Sequence, residues 1–425
     1  MKVREFFRSR KSFEIIFIVA VIASFFVWLF GIFIEGEGGR QFSIFFLKCN
    51  DFFADTTNVV GYSSGRDVYH NTAYLGLQEK AYPPLTYMMM YFFSRLVNME
   101  PYYEADYFLD MYKEPQFLII YLIYATIGIV MIYELIRTCK NGSNKLKIFT
   151  AAAMCVSAPM IFSYERANTI ILTLFCIMFF IFYYDSDNRF MKELALIALA
   201  IATAFKMTPA LLGILLLYNK QWKEAVRTVI YGIIIGIGPF FFFEGGLSNL
   251  SQMFNNMKLN VADYKSTSGA TLTAAIVSFM GEGAGISDIL INVLKWLTYA
   301  ICLILLVAAP LYENWWERIL AVSMVLITAP SHSGHYCIIY VIPAVVAFLN
   351  AEQHRLTDWI VEIAFLLIMC DIQSDIGDRF LNYHLAIIII LCVLVVRAFI
   401  QIGKRFNRKN VSKDAAKYNK QRLFS

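Results

Sequence analysis

The sequence predicts an all-α, polytopic integral membrane protein with about twelve transmembrane helices. Three observations carry that class. Of the 425 residues, 59% are hydrophobic and 16% charged, where a soluble domain carries about a quarter charged residues. Apolar runs of membrane length recur along the chain, for a mean hydropathy of +0.57. The positive charge behind the net +5 gathers at the two ends, as cytoplasmic anchors do.

Residues 12–34 are apolar apart from Ser12, Glu14 and Ser24, longer than the roughly 20 residues that cross the hydrocarbon core. Met1 to Lys11 carries five basic residues against one acid and no small-residue cleavage site. The first span is therefore expected to be retained, with a cytoplasmic N-terminus. An aromatic outer loop, 35–83, follows. Further spans are expected at 84–97, 116–137, 148–163, 169–184, 193–218, 226–243, 288–309, 318–330, 336–350, 356–372 and 383–403, with a long outer loop at 244–287. Residues 404–425 hold eight Lys/Arg against one Asp. They read as a basic cytoplasmic tail on the bilayer and not as a nucleic-acid arm. Residues 1–403 thus form a single membrane domain.

The charge pattern orients the second half: "YNKQWKEAVR" (218–227) and "AEQHR" (351–355) fall inside, "QSDIGDRF" (373–380) outside. In the first half, strict alternation places the basic "RTCKNGSNKLK" (137–147) outside, against the rule. The alternative is a re-entrant 84–97, with 193–218 broken at "KMTP" (206–209), where Pro209 removes a helical hydrogen bond. Either version leaves the loops of Asp51 and His335 on the outer face. The eight cysteines show no CxxC pairing and read as small buried hydrophobes. No cofactor and no metal site is expected.

Few residues are polar enough to carry chemistry. Asp51 and Asp55 lie four apart, on one face of any helix. They are either a general base at the membrane interface or part of an amphipathic loop helix lying on the bilayer. Lys206, inside an apolar run, costs about 2.5–3.5 kcal/mol on insertion scales and marks a functional site with an anionic partner. "YERAN" (164–168) offers Arg166 and Asn168, or only a short connection neutralised by a Glu165–Arg166 pair. "APSHSGHYCIIY" (329–340) places His332 and His335 at i and i+3, without the third ligand that a catalytic zinc needs. Tyr82-Pro83-Pro84 stiffens the entry to the next segment.

In that order these motifs resemble the GT-C glycosyltransferases, and among them glycosyltransferase family 87, the polyprenyl-phosphomannose-dependent mannosyltransferases. The likeness runs from about residue 12 to 340. It implies a GT-C-like fold with an amphipathic first outer loop. It matches Asp51 to the catalytic Asp of that loop, because the spacing to "GRDVY" (65–69) fits Asp51 better than Asp55. "YPPL", "RAN" in place of the more usual Arg-Gly-Asn, "KMTP" and "PSHSGH" match later motifs; Ala167 and the Ser331–His335 spacing depart from the pattern. The implied enzyme is an inverting transferase at the outer face of the cell membrane. Its donor is a polyprenyl-phosphate hexose and its acceptor a glycolipid or glycan. Asp51 is the base, with Lys206, His335, Arg166, Asn168, Tyr82 and Asp55 around the donor phosphate and substrate. A lipid-linked oligosaccharide flippase and a polysaccharide polymerase or ligase are the rival readings; the chain lacks the two-half symmetry of many transporters.

Overall fold

The computed structural model describes residues 9–35, 53–72, 76–102, 108–263, 269–280, 286–330, 333–371 and 380–422. Among them there is no β-strand, only two isolated bridges, Ser9 to Gln353 and Gly269 to Ser333. The helices are α1 (Arg10–Glu35), α2 (Ala54–Tyr62), α3 (Pro84–Ser94), α4 (Pro115–Cys139), α5 (Asn144–Cys155) and α6 (Ala158–Arg166). There follow α7 (Ile170–Tyr183), α8 (Arg189–Phe205), α9 (Ile214–Tyr218), α10 (Trp222–Ile237), α11 (Ser248–Asp263) and α12 (Leu272–Ser278). The chain closes with α13 (Asp288–Ala308), α14 (Trp315–Thr328), α15 (Ile342–Leu349), α16 (Asp358–Met369) and α17 (Leu381–Arg422). Residues 404–422 of the basic segment therefore continue α17.

Among the described residues, five helical stretches are long and apolar enough to cross a membrane: 10–34, 115–139, 222–242, 288–311 and 381–405. The pair α5–α6 adds a sixth if its 47° bend is counted within one span. Pro159 cannot donate the hydrogen bond that would continue α5 into α6. Helix starts follow side-chain chemistry. Ser143 accepts from Leu146 N at 3.4 Å to open α5, Asn188 from Phe190 N at 3.0 Å to open α8, and Ser287 from Leu290 N at 3.3 Å to open α13. At the centre, α14 and α15 are buried almost throughout, while α10 exposes Val226, Val229, Ile230, Ile233 and Ile234. An apolar helix face left bare in this way suits a hydrocarbon solvent.

Among the described residues the expected count of about twelve is therefore not reached by helix length. The spans expected at 169–184, 318–330, 336–350 and 356–372 hold shorter helices, and two others change further. Segment 84–97 holds only the 11-residue α3, about 17 Å long at 1.5 Å per residue and too short for a core of about 30 Å. Its first turn is tied to the end of α8 by Thr86 Oγ1, which donates to Phe205 O at 3.0 Å. Segment 193–218 is broken: α8 stops at Phe205, Lys206 is extended, and a 3-10 turn over Thr208–Gly213 leads into α9.

Polar contacts sort the helix ends into two groups. At one end, buried Lys140, just after α4, bonds Glu14 of α1 and donates to Leu349 O at 3.0 Å. Asn350 Nδ2 donates to Cys139 O at 2.9 Å, and Arg397 bridges Glu317 and Asp358, each at 2.6 Å. The basic 137–147 segment thus shares its end with Arg10. This overturns the strict alternation and removes its conflict with the charge rule. The other end holds the candidate site.

Candidate active site

The first loop is docked onto the turn after α6 through backbone and side chains together. Phe53 N donates to Glu165 O at 3.0 Å, Thr56 Oγ1 donates to Ala167 O, and the Phe53 ring lies 4.4 Å from that of Tyr121. Within this joint Arg166 donates to Asp55 Oδ1 from Nε at 3.2 Å and Nη2 at 2.7 Å, and Asn168 Nδ2 donates to Oδ2 at 2.5 Å. Asn168 Oδ1 in turn accepts from Ile170 N at 3.0 Å, which fixes the amide while opening α7. Arg166 therefore pairs with Asp55, 111 residues away, where the short-connection reading of "YERAN" paired it with Glu165. Ala167 makes the turn at φ +52°, ψ +33°, a left-handed conformation that favours glycine. A glycine at this position would adopt the turn without that cost.

A void of about 10 Å³ adjoins this joint, lined by Asp55, Thr86, Asn168 and Tyr82; Thr86, through its bond to Phe205 O, leads from it to the break in the α8–α9 segment. There Lys206 Nζ stands 4.4 Å from the Tyr82 ring centre and 5.3 Å from that of Tyr336, within cation–π range. Tyr82 is held by Tyr69, whose hydroxyl donates to Tyr82 O at 3.1 Å, and by its own N–H, which donates to the Tyr87 hydroxyl at 3.2 Å. Burial pushes the Tyr82 phenol up, with the Lys206 ammonium opposing. The hydroxyl stays protonated and able to donate. Among the described residues Lys206 forms no salt bridge, whereas Arg166 is committed to Asp55.

His335 immediately precedes Tyr336 in the chain. Its ring stacks on Phe380 at 3.9 Å and lies 5.4 Å from that of His384. The segment before it is pinned by Ala270 N, which donates to Ser333 O at 2.7 Å. Gly269, at φ +88°, comes so close that a Cβ would meet Ser333 O at 2.0 Å. His384 holds that arm through Gly269 O at 3.1 Å and Ser278 Oγ at 2.8 Å. Tyr336 and His384 were hidden from sequence reasoning, one within an apolar run and the other within the last span. Asp51 and His332 lie outside the described residues. Among the described residues no group of three or more His, Cys, Asp or Glu is arranged to hold a metal ion.

The fold is that of a polytopic membrane protein. Its polar residues converge at one end of the bundle on a carboxylate, an arginine, a lysine and two tyrosines. The family model of glycosyltransferase family 87 matches residues 81–330, more than half of the chain. The chain belongs to that family and is a membrane glycosyltransferase. No curated protein and no solved structure matches it.

Proposed function

We propose that the protein transfers a hexose, mannose-like, from a polyprenyl-phosphate carrier to a glycolipid or glycan acceptor at the outer face of the cell membrane, with inversion. The observation that carries this reading is Lys206. It is a cation without a salt bridge among the described residues, flanked by two tyrosines, at a helix break; one of those tyrosines, Tyr82, also borders the Asp55–Arg166 joint. A lipid phosphate is the anion that suits it, because a donor with a hydrocarbon tail reaches the site from within the bilayer.

In the chemistry, the acceptor hydroxyl oxygen attacks the anomeric carbon as the bond to the phosphate oxygen breaks. Asp51 takes the hydroxyl proton, and the electron pair of the broken bond stays on the phosphate. The leaving group needs no proton, so one base suffices, whereas a glycoside hydrolase uses a pair of carboxylates. Charge grows on the phosphate in the transition state. Lys206, aided by the Tyr82 and Tyr336 hydroxyls and by His335 from the adjoining segment, stabilises it. Asp55, with both oxygens engaged, is the poorer proton acceptor. Its role is to hold the loop that carries Asp51, four residues earlier in the sequence. Arg166 and Asn168 act through Asp55.

A GT-C-like path of twelve segments running between the two ends, six of membrane length and six shorter ones, accounts for the contacts there. The segments are α1, α4, α5–α6, α7, α8, the 208–218 return, α10, α13, α14, 335–349, α16 and α17. This puts both termini and the 137–147 segment in the cytoplasm and leaves α3 on the outer side. The test uses purified, lipid-reconstituted protein. It should transfer labelled hexose from a polyprenyl-phosphate hexose and ignore the nucleotide sugar; the reverse preference sinks the donor assignment.

A further inference from the structure

We infer that the protein carries a second lipid site, for an anionic glycerophospholipid of the cytoplasmic leaflet, in a lateral cleft between α1 and α5. The leaflet assignment rests on the orientation proposed above. The cleft, about 720 Å³, lies at the end of the bundle opposite Lys206, and its size matches a ligand of drug-like dimensions.

Its rim and wall differ in chemistry. Arg10, Lys11 and Lys145 border the rim, while Ile15, Val19 and Phe149 line the wall and stand 45%, 59% and 52% exposed. From Arg10 to Val19 the helix descends about 14 Å at 1.5 Å per residue. That is the span from a headgroup to the upper part of an acyl chain. The charge has one sign once its pairs are settled. Glu14, the buried carboxylate of the cleft, is already matched by Lys140 and by Arg10 Nε at 2.8 Å. Counting Glu352 at the rim, the group of Arg10, Lys11, Lys145 and Lys140 keeps a surplus of two positive charges over its acids. Arg10 is held in place by its Glu14 bond, with a terminal nitrogen over Gly142, whose φ of +114° lets the α4–α5 turn pass beneath. An anchored arginine beside two lysines, above bare apolar side chains, is complementary to a phosphodiester on acyl chains. A soluble anion would have no use for the wall, and a zwitterionic lipid none for the charge.

The test is lipid retention by purified full-length protein in detergent, read by native mass spectrometry, with dioleoylphosphatidylglycerol and dioleoylphosphatidylcholine as probes. Wild type should hold one phosphatidylglycerol in preference to phosphatidylcholine. Lys11→Ala with Lys145→Ala should reduce that preference by at least tenfold, since each basic residue near an anionic surface is worth about fivefold in affinity. Lys11→Arg with Lys145→Arg should keep it, and Glu352→Gln should strengthen it. Equal retention of both lipids by wild type, or an unchanged preference in the alanine pair, would overturn the site. The readout in detergent is blind to orientation. A separate experiment labels Lys145→Cys in intact cells with an impermeant thiol reagent, against the wild-type background. Protection is expected; labelling overturns the leaflet assignment and the proposed topology while leaving the lipid preference to be judged on its own.

Discussion

The Asp55–Arg166 joint can be measured apart from activity. Both side chains are largely enclosed, 15% and 13% exposed, and Arg166 gives Asp55 two charge-assisted hydrogen bonds. Asp55→Asn keeps the size but removes the charge. Its amide nitrogen would then meet Asn168 Nδ2, donor against donor, and Asn168 cannot turn over without losing its bond to Ile170 N. Hydrogen bonds to charged groups are worth about 1.5–3 kcal/mol, so a loss of about 2 kcal/mol is expected, with Arg166→Met of similar size. The double variant should lose little more than either single one, a coupling of about 1.5 kcal/mol. The local readout is hydrogen exchange at Phe53 N–H, which bonds Glu165 O across the same joint. A 2 kcal/mol loss of docking speeds that exchange about 30-fold, given a factor of ten per 1.4 kcal/mol. A coupling under about 0.5 kcal/mol, or unchanged exchange at Phe53, would show that the pair does not hold the loop.

Four further outcomes follow from the same geometry. Lys206→Met should leave the protein inserted and folded yet abolish binding of polyprenyl phosphate, measured by competition with labelled donor; normal turnover would make the lysine structural. Asp51→Asn should lower the single-turnover transfer rate by at least ~10²-fold with donor binding intact, a larger loss than for Asp55→Asn; if Asp55→Asn is the slower of the two, the base has been misassigned. Ala167→Gly should raise thermal stability in detergent by about 1 kcal/mol, because the left-handed turn penalises the alanine Cβ; a fall would mean that packing of the methyl outweighs the strain. Lys80, 4.3 Å from the Tyr62 ring centre and donating to Gly76 O at 3.1 Å, has its ammonium brought down to about 8 by burial. Between pH 8 and its ordinary range near 10.5 the unfolded chain binds more protons, so stability rises with pH there; Lys80→Met should flatten that rise.

The parts of the fold legible in the sequence are those with a local physical cause. The spans at α1, α4, α13 and α17 are long apolar runs with very few charges. The break at Lys206 follows from Pro209 and from a charge too costly to leave mid-span. Helix α3 was read as a span because "PLTYMMMYFF" is apolar enough. Its apolarity serves contacts with other rings instead: Tyr87 packs on Tyr69 at 5.3 Å, and Phe92 and Tyr91 on Phe242 at 5.7 and 5.0 Å. The residue types of the candidate site were also readable, since Lys206, Arg166, Asn168, Asp55 and Tyr82 are scarce polar groups in an apolar chain. Their partners were not. A pair separated by 111 residues leaves no periodicity to detect, and Tyr336 looks like one more aromatic residue of a membrane helix.

The most direct measurement is an experimental structure with a non-transferable polyprenyl-phosphonate hexose bound. The account predicts the phosphorus within about 4 Å of Lys206 Nζ, the reach of an ion pair, between the Tyr82 and Tyr336 rings. The sugar should point toward the loop of Asp51. A headgroup seated at the opposite end of the bundle, or one that leaves Lys206 untouched, would contradict it.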